Sequence, residues 1–135
     1  MTLPPILFED FQPGTLMGER VEVYDDKQAQ RWMAIFGSAS AGEPHDAAQA
    51  ASMAIVGMMR AYLDVVAPRP PGNVHTKQKL TMHALPQLGE AMRIRVTCAG
   101  KEMRRARKYV ELQVQGTGKD QRPLFEGLLT LIWAA

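Results

Sequence analysis

From Ala47 to Val66 apolar residues fill nearly every position, and only Gln49, Ser52, Arg60 and Asp64 break the run. Asp46 stands where an N-cap belongs, and Gln49 is placed to close a capping box with it. The Pro68-Arg69-Pro70-Pro71 segment ends the helix, because proline cannot continue the hydrogen-bond ladder. The polar residues make a narrow, incomplete stripe, so the helix must be enclosed on most sides. Arg60 and Asp64, four apart, are placed to pair with each other. On so apolar a helix they are also candidates to meet a partner subunit or line a tunnel mouth. Gly57 costs about 1 kcal/mol against alanine in mid-helix, which close packing against a sheet would explain.

The rest of the chain alternates with period two, the mark of half-buried strands. Residues 15–24 are extended, with Val21 and Val23 on one face. In 74–83, Val74, Thr76, Gln78, Leu80 and Met82 alternate with His75, Lys77, Lys79, Thr81 and His83. Met92, Ile94, Val96 and Cys98 share a face, as do Val110, Leu112 and Val114, and then Phe125, Leu129, Leu131 and Trp133. Turns are expected at Pro86–Gly89, Gly100–Arg105 and Gly116–Asp120. Between the first strand and the long helix, Ala29, Trp32, Met33 and Phe36 follow an Asp25 cap at helical spacing, and Gly37 opens a Ser/Ala/Gly loop.

The order is therefore strand, short helix, loop, long helix and four strands. It predicts an α+β class, with a curled antiparallel sheet wrapped around a long central helix, as a single domain over residues 1–135. One sheet layer cannot cover a helix that is apolar all round, so a second copy of the chain is expected as its other cover. A homodimer or a higher assembly of dimers follows.

Composition narrows the chemistry. The chain has 135 residues, is 46% hydrophobic and 22% charged, and carries a formal net charge of +2. That balance reads as globular and offers no general attraction for nucleic acid. The one cysteine, Cys98, alternates with core residues and reads as a buried thiol. Neither a signal peptide nor a transmembrane span is recognisable, so no membrane partner is expected and a cytoplasmic location follows by default. No histidine, cysteine or carboxylate group has metal-ligand spacing, and no metal or cofactor is expected.

Phe8-Glu9-Asp10-Phe11-Gln12-Pro13-Gly14 resembles the usual entry of the MaoC-like branch of the hot-dog fold, the (R)-specific enoyl-thioester hydratases and dehydratases. Val74–Met82, followed by Ala84-Leu85-Pro86-Gln87-Leu88-Gly89-Glu90, resembles that branch's strand and its Pro-x-x-x-Gly-Asp/Glu turn. The resemblance runs over almost the whole chain and implies a hot-dog fold. The family signature is Gly-Asp-x-Asn-Pro-x-His, with the aspartate and histidine as acid/base pair. The nearest stretch here is Ala39-Ser40-Ala41-Gly42-Glu43-Pro44-His45. His45 takes the histidine position, Ser40 the aspartate position and Gly42 the asparagine position, with proline one residue late. In a second alignment, Pro44-His45 is the small motif just before the central helix, and the catalytic histidine has no counterpart.

Hydration of an enoyl thioester needs water deprotonated, a proton delivered to the α-carbon and the thioester oxygen stabilised. Free amides at a buried helix start suit the last task. His45, just ahead of that start, titrates in the right range for the first two. Ser40 can orient a water or a substrate oxygen but cannot act as a base. Asp46 reads first as a cap, and Glu43 as a solvated loop residue that remains a spare carboxylate. His75 and His83 lie on the charged face with Lys77 and Lys79 and read as surface. The run Lys101, Arg104, Arg105, Arg107 and Lys108, beside Tyr109, reads as a solvated hairpin. The alternative, functional reading is a landing patch for the phosphates of coenzyme A or for an acidic acyl carrier protein. The resemblance implies an acyl-thioester hydratase or dehydratase, a lyase, acting on enoyl or 3-hydroxyacyl groups. Its candidate catalytic residues are His45, Ser40, Glu43 and Asp46; Gly57, Arg60, Arg104, Arg105 and Arg107 are the candidates for substrate binding. A non-catalytic thioester-binding or structural protein, and a thioesterase, are the alternatives.

Overall fold

The computed structural model describes residues 3–25, 27, 31 and 43–135, with the backbone alone for 43–46. The short helix through Ala29, Trp32, Met33 and Phe36 and the loop opened by Gly37 lie outside the described residues. The period-two segments all form strands: β1 (Leu16–Val23), β2 (Val74–Met82), β3 (Ala91–Arg104), β4 (Arg107–Thr117) and β5 (Pro123–Trp133). They make one antiparallel sheet in the order β1-β3-β4-β5-β2. The long helix, α1 (Glu43–Val65), lies against one face, chiefly over β1 and β3 and less over β4 and β5.

The alternation read from β3, β4 and β5 holds: Met92, Ile94, Val96, Cys98, Val110, Leu112, Val114, Phe125, Leu129, Leu131 and Trp133 are all buried. Against them α1 sets Ala50, Ala54, Met58, Ala61 and Tyr62. The layers meet closely because glycines remove side chains at the contacts. A Cβ on Gly57 would stand 3.0 Å from Ile94 Cδ1, and one on Gly127 of β5 would run into Met58 Sδ. Phe11 completes the core, edge-on to Trp133 with ring centroids 4.8 Å apart. Trp133 Nε1 donates to the Ile6 carbonyl at 2.8 Å, which ties the entry segment to the end of β5. Arg69 ends α1 by donating to the Leu63 and Val66 carbonyls at 2.7 and 2.8 Å. Burial pushes the Cys98 thiol above its ordinary range, with the Gly100 carbonyl and Lys101 opposing the shift.

Two expectations are corrected. The sheet is hot-dog-like in its elements, but it is open, with β1 and β2 as its edges, and is not curled around the helix. Strand spacing explains this. Five strands at about 4.8 Å span roughly 19 Å. Encircling a helix at a layer distance of about 10 Å would take a circumference of roughly 60 Å. On the side of α1 away from the sheet, Ile55 and Leu63 are 38% and 46% exposed. In β1, Val21 and Val23 share one face as expected; that face is the outward one, and Glu22 is buried on the helix side. The second correction is β2. A bulge between His75 and Lys77 puts His75 opposite the buried Leu131, and its ring meets Tyr62 edge-on at 6.4 Å. His75 is therefore on the helix side, whereas Lys77 and Lys79 pair with the outward Thr130 and Leu128.

The turns are tighter than the sequence suggests. β3 continues to Arg104 and β4 begins at Arg107, leaving Arg105 and Ala106 as a two-residue turn with φ of 52° and 63°. Positive φ at both positions is the type I′ geometry that follows the strand twist. The Pro86–Gly89 turn is held by Glu90. Its carboxylate accepts from the Gln87 and Lys119 amides, both at 2.8 Å, and from Arg122 Nη2 at 2.5 Å. Burial alone would raise the Glu90 carboxyl, yet these donors hold it below the usual range. The folded form thus binds this proton less readily than the unfolded chain. The contribution is fully present above the ordinary glutamate value of about 4.3 and is lost as pH falls through the lower folded value. Acid titration of unfolding free energy should show a steeper loss below about pH 4 in the parent than in Glu90→Gln, and parallel curves would refute the staple.

Candidate functional site

The first turn of α1 carries Glu43, His45 and Asp46. Their side chains, and Ser40 entirely, lie outside the described residues. The helix starts ahead of Ala47, so Asp46 is the fourth helical residue and not the N-cap, and His45 belongs to the helix proper. Amide hydrogens of a first helical turn have no intrahelical partner, and the helix dipole makes that end attractive to developing negative charge. Gln49, one turn on, is buried.

Contacts farther along give the direction of α1. Gly57 lies over Ile94 and Met92, and Val65 lies over Gly18, which pairs with Val96. The helix therefore advances along β3 toward its hairpin end, and its first turn lies toward the opposite end. At that end Tyr24 follows β1, Glu90 precedes β3, and the Tyr24 amide donates to the Glu90 carbonyl at 3.1 Å.

Gly57 sits in a polar seam between α1 and β1. Beneath it, Glu22 is buried and accepts from Arg60 Nη1 at 2.5 Å and Arg20 Nε at 3.1 Å. Arg20 reaches on to Asp64. Arg60 and Asp64 thus do not pair along the helix; each is bound to a charge on β1. Arg20 and Glu22 are the residues the sequence reading missed. The valines of β1 drew attention to the other face, and the available signal was the need of Arg60 and Asp64 for partners. The seam fastens helix to edge strand, so Arg60 is engaged structurally, and Gly57 serves the close approach.

The basic run lies at the far end. From Ile94 to Arg104 β3 covers roughly 33 Å, and from Gly57 back to Glu43 the helix covers about 21 Å in the opposite sense. Within one chain, Arg104, Arg105 and Arg107 are not brought together with His45. The run is also partly occupied. Lys101 Nζ donates to the Phe8 carbonyl at 2.9 Å and lies over its ring, and Arg104 lies 4.2 Å over the Tyr109 ring. Arg105 and Arg107 are exposed at the turn. Among the described residues no group of histidine, cysteine and carboxylate side chains could hold a metal ion, and no helix is long and apolar enough to cross a membrane.

Compared by sequence, the chain matches no protein-family model and no curated protein. Compared by structure, it is similar to an R-hydratase of Pseudomonas aeruginosa in the unliganded form, with TM-score 0.71 and 16% identity over 93% of this chain and 84% of that one. It is also similar to a MaoC-like dehydratase of Rhodospirillum rubrum, with TM-score 0.69 and 12% identity over 95% and 96%. A third likeness is to a hot-dog-like protein of Thermanaerovibrio acidaminovorans, with TM-score 0.62 and 16% identity over 90% and 82%. At these identities the likeness establishes a hot-dog-like fold over most of the chain.

The seam predicts a specific energetic pattern. A double-mutant cycle between Glu22→Gln and Arg60→Met should give a coupling of at least about 0.5 kcal/mol in denaturant melts, and a cycle between Arg60→Met and Asp64→Asn a smaller one. The reverse order would restore the expected pairing along the helix.

Proposed function

We propose that the chain is a hydratase or dehydratase of acyl thioesters, acting on enoyl or 3-hydroxyacyl groups carried by coenzyme A or acyl carrier protein. The observation that carries this reading is His45 on the first turn of the long helix, in a fold shared over nearly the whole chain with an R-hydratase and a MaoC-like dehydratase. The thioester oxygen would face the first-turn amides, which stabilise negative charge on it as water adds. His45 would take a proton from water while the oxygen bonds to the β-carbon, then return that proton to the α-carbon; dehydration is the reverse. Ser40 would orient the water. Glu43 and Asp46 are the neighbouring carboxylates available to orient the imidazole.

Arg104, Arg105 and Arg107 belong to this reading as a docking patch for the phosphate-bearing carrier, met at the surface and away from the reacting atoms. A homodimer belongs to it too, since a second copy would cover the exposed Ile55 and Leu63 of α1. So does a cytoplasmic location. A second reading is thioester binding without turnover. It is favoured by Ser40 in the place where the resembled family has its aspartate. A thioesterase is the third, and would need Glu43 or Asp46 to activate water.

Incubation with a panel of enoyl, 3-hydroxyacyl and saturated acyl thioesters, followed by mass detection, separates the three readings. Interconversion of enoyl and hydroxyacyl forms is expected. His45→Ala should lower kcat/KM at least about a hundredfold, with the melting temperature nearly unchanged. A folded variant with parental rates removes His45 from the chemistry. Binding without turnover favours the second reading, and release of free acid the third. Light scattering at low concentration should give at least twice the chain mass of 15.0 kDa, and a clean monomer would sink the dimer.

A further inference from the structure

The face of the sheet opposite α1 carries a groove of about 1340 Å³. Strand register builds its floor. Glu19 of β1 pairs with Arg95 of β3, Arg95 with Gln115 of β4, and Gln115 with Glu126 of β5, so one polar row crosses four strands. Arg93 stands two residues from Arg95 on the same face, with their Cα atoms about 7 Å apart. The two guanidiniums share the single carboxylate of Glu19, at 4.0 and 3.6 Å, and remain 62% and 51% exposed. Lys119 lines the same groove. The acidic end is differently placed. Glu126 accepts from Gln115 at 3.0 Å and Gln113 at 3.5 Å, and lies 3.4 Å from His83 Nε2. Asp120 is at the rim, and Leu16, Val21 and Pro123 supply apolar wall. Positive charge is thus in excess at the β1–β3 side, while two strands away, at roughly 10 Å, an oriented carboxylate and an imidazole offer acceptors.

We propose that this outer groove binds a phosphate-bearing ligand of nucleotide size, with its phosphates between Arg93 and Arg95 and its hydroxyl donors toward Glu126 and His83. Two guanidiniums on one strand face can close on a diphosphate from two sides, and each forms paired hydrogen bonds to phosphate oxygens. Glu19 competes with the ligand for both arginines. The groove is on the opposite face of the sheet from the first turn of α1, so it stands or falls independently of the thioester chemistry.

The probes are inorganic pyrophosphate and adenosine diphosphate, titrated into the full chain by calorimetry at low ionic strength. Saturable binding is expected, and tighter for the nucleotide; equal affinities would reduce the site to one for free diphosphate and overturn the nucleotide-sized ligand. Arg93→Gln/Arg95→Gln should weaken binding at least tenfold with the melting temperature unchanged. Glu19→Gln, which frees both arginines, should tighten it severalfold; this second variant keeps the test decisive if the double variant fails to fold. Lys77→Gln/Lys79→Gln, on the outer face of β2 and outside the groove lining, should leave the affinity unchanged. No saturable binding, or equal losses in the two double variants, would overturn the site. A change in oligomeric state of the Arg93/Arg95 variant without any change in affinity would overturn it in favour of contact between copies.

Discussion

The close approach of α1 to the sheet governs this structure. Gly57 on the helix and Gly18 and Gly127 on the sheet each lack the Cβ that would stand about 3.0 Å or less from a facing side chain. Where the layers come this near, long apolar side chains from both sides interdigitate and lose their water, which is the main source of stability in a domain of this size. The same closeness brings charges on α1 within reach of β1. Arg60 and Asp64 can then be satisfied across the layer boundary by Glu22 and Arg20. A buried carboxylate with a guanidinium on each side fixes the lateral position of the helix more sharply than apolar contact does, because ion pairs have preferred geometry and hydrocarbon contacts do not.

That placement determines what each end of the molecule can offer. The helix lies along β3 with its start toward the Glu90 staple and its end toward the β3–β4 hairpin. Its first turn, with His45 and amides that have no partner within the helix, therefore belongs to the end closed by Tyr24, Glu90 and the 118–122 connection. The basic hairpin projects from the other end on a type I′ turn. A ligand held at the helix start and a carrier met at the hairpin would occupy separate regions of one chain. Among the described residues α1 is covered by the sheet on one side, and Ile55 and Leu63 are exposed on the other, in keeping with a sheet too narrow to enclose it.

The sequence by itself determined the elements and most of the core. Period-two alternation in β3, β4 and β5 named the inward residues correctly, because each of these strands has one face with only apolar side chains, and burial then leaves a single choice. The long helix and its proline stop were equally legible, as was the core position of Cys98. Only the tertiary structure decided the rest. β1 has valines on one face and Arg20 and Glu22 on the other, and its orientation depends on charges brought up by a helix 40 residues away. In β2 one bulged residue turns His75 from the outer face to the inner one, and no local pattern announces a bulge. Arg60 and Asp64 are spaced for a pair along the helix, but partners across the layer outcompete that exposed pairing. The polar row through Arg95, Gln115 and Glu126 exists only through strand register, since its members lie in three separate segments of the chain. Period and composition act over a few residues; which distant charges and edges meet is set by packing of the whole.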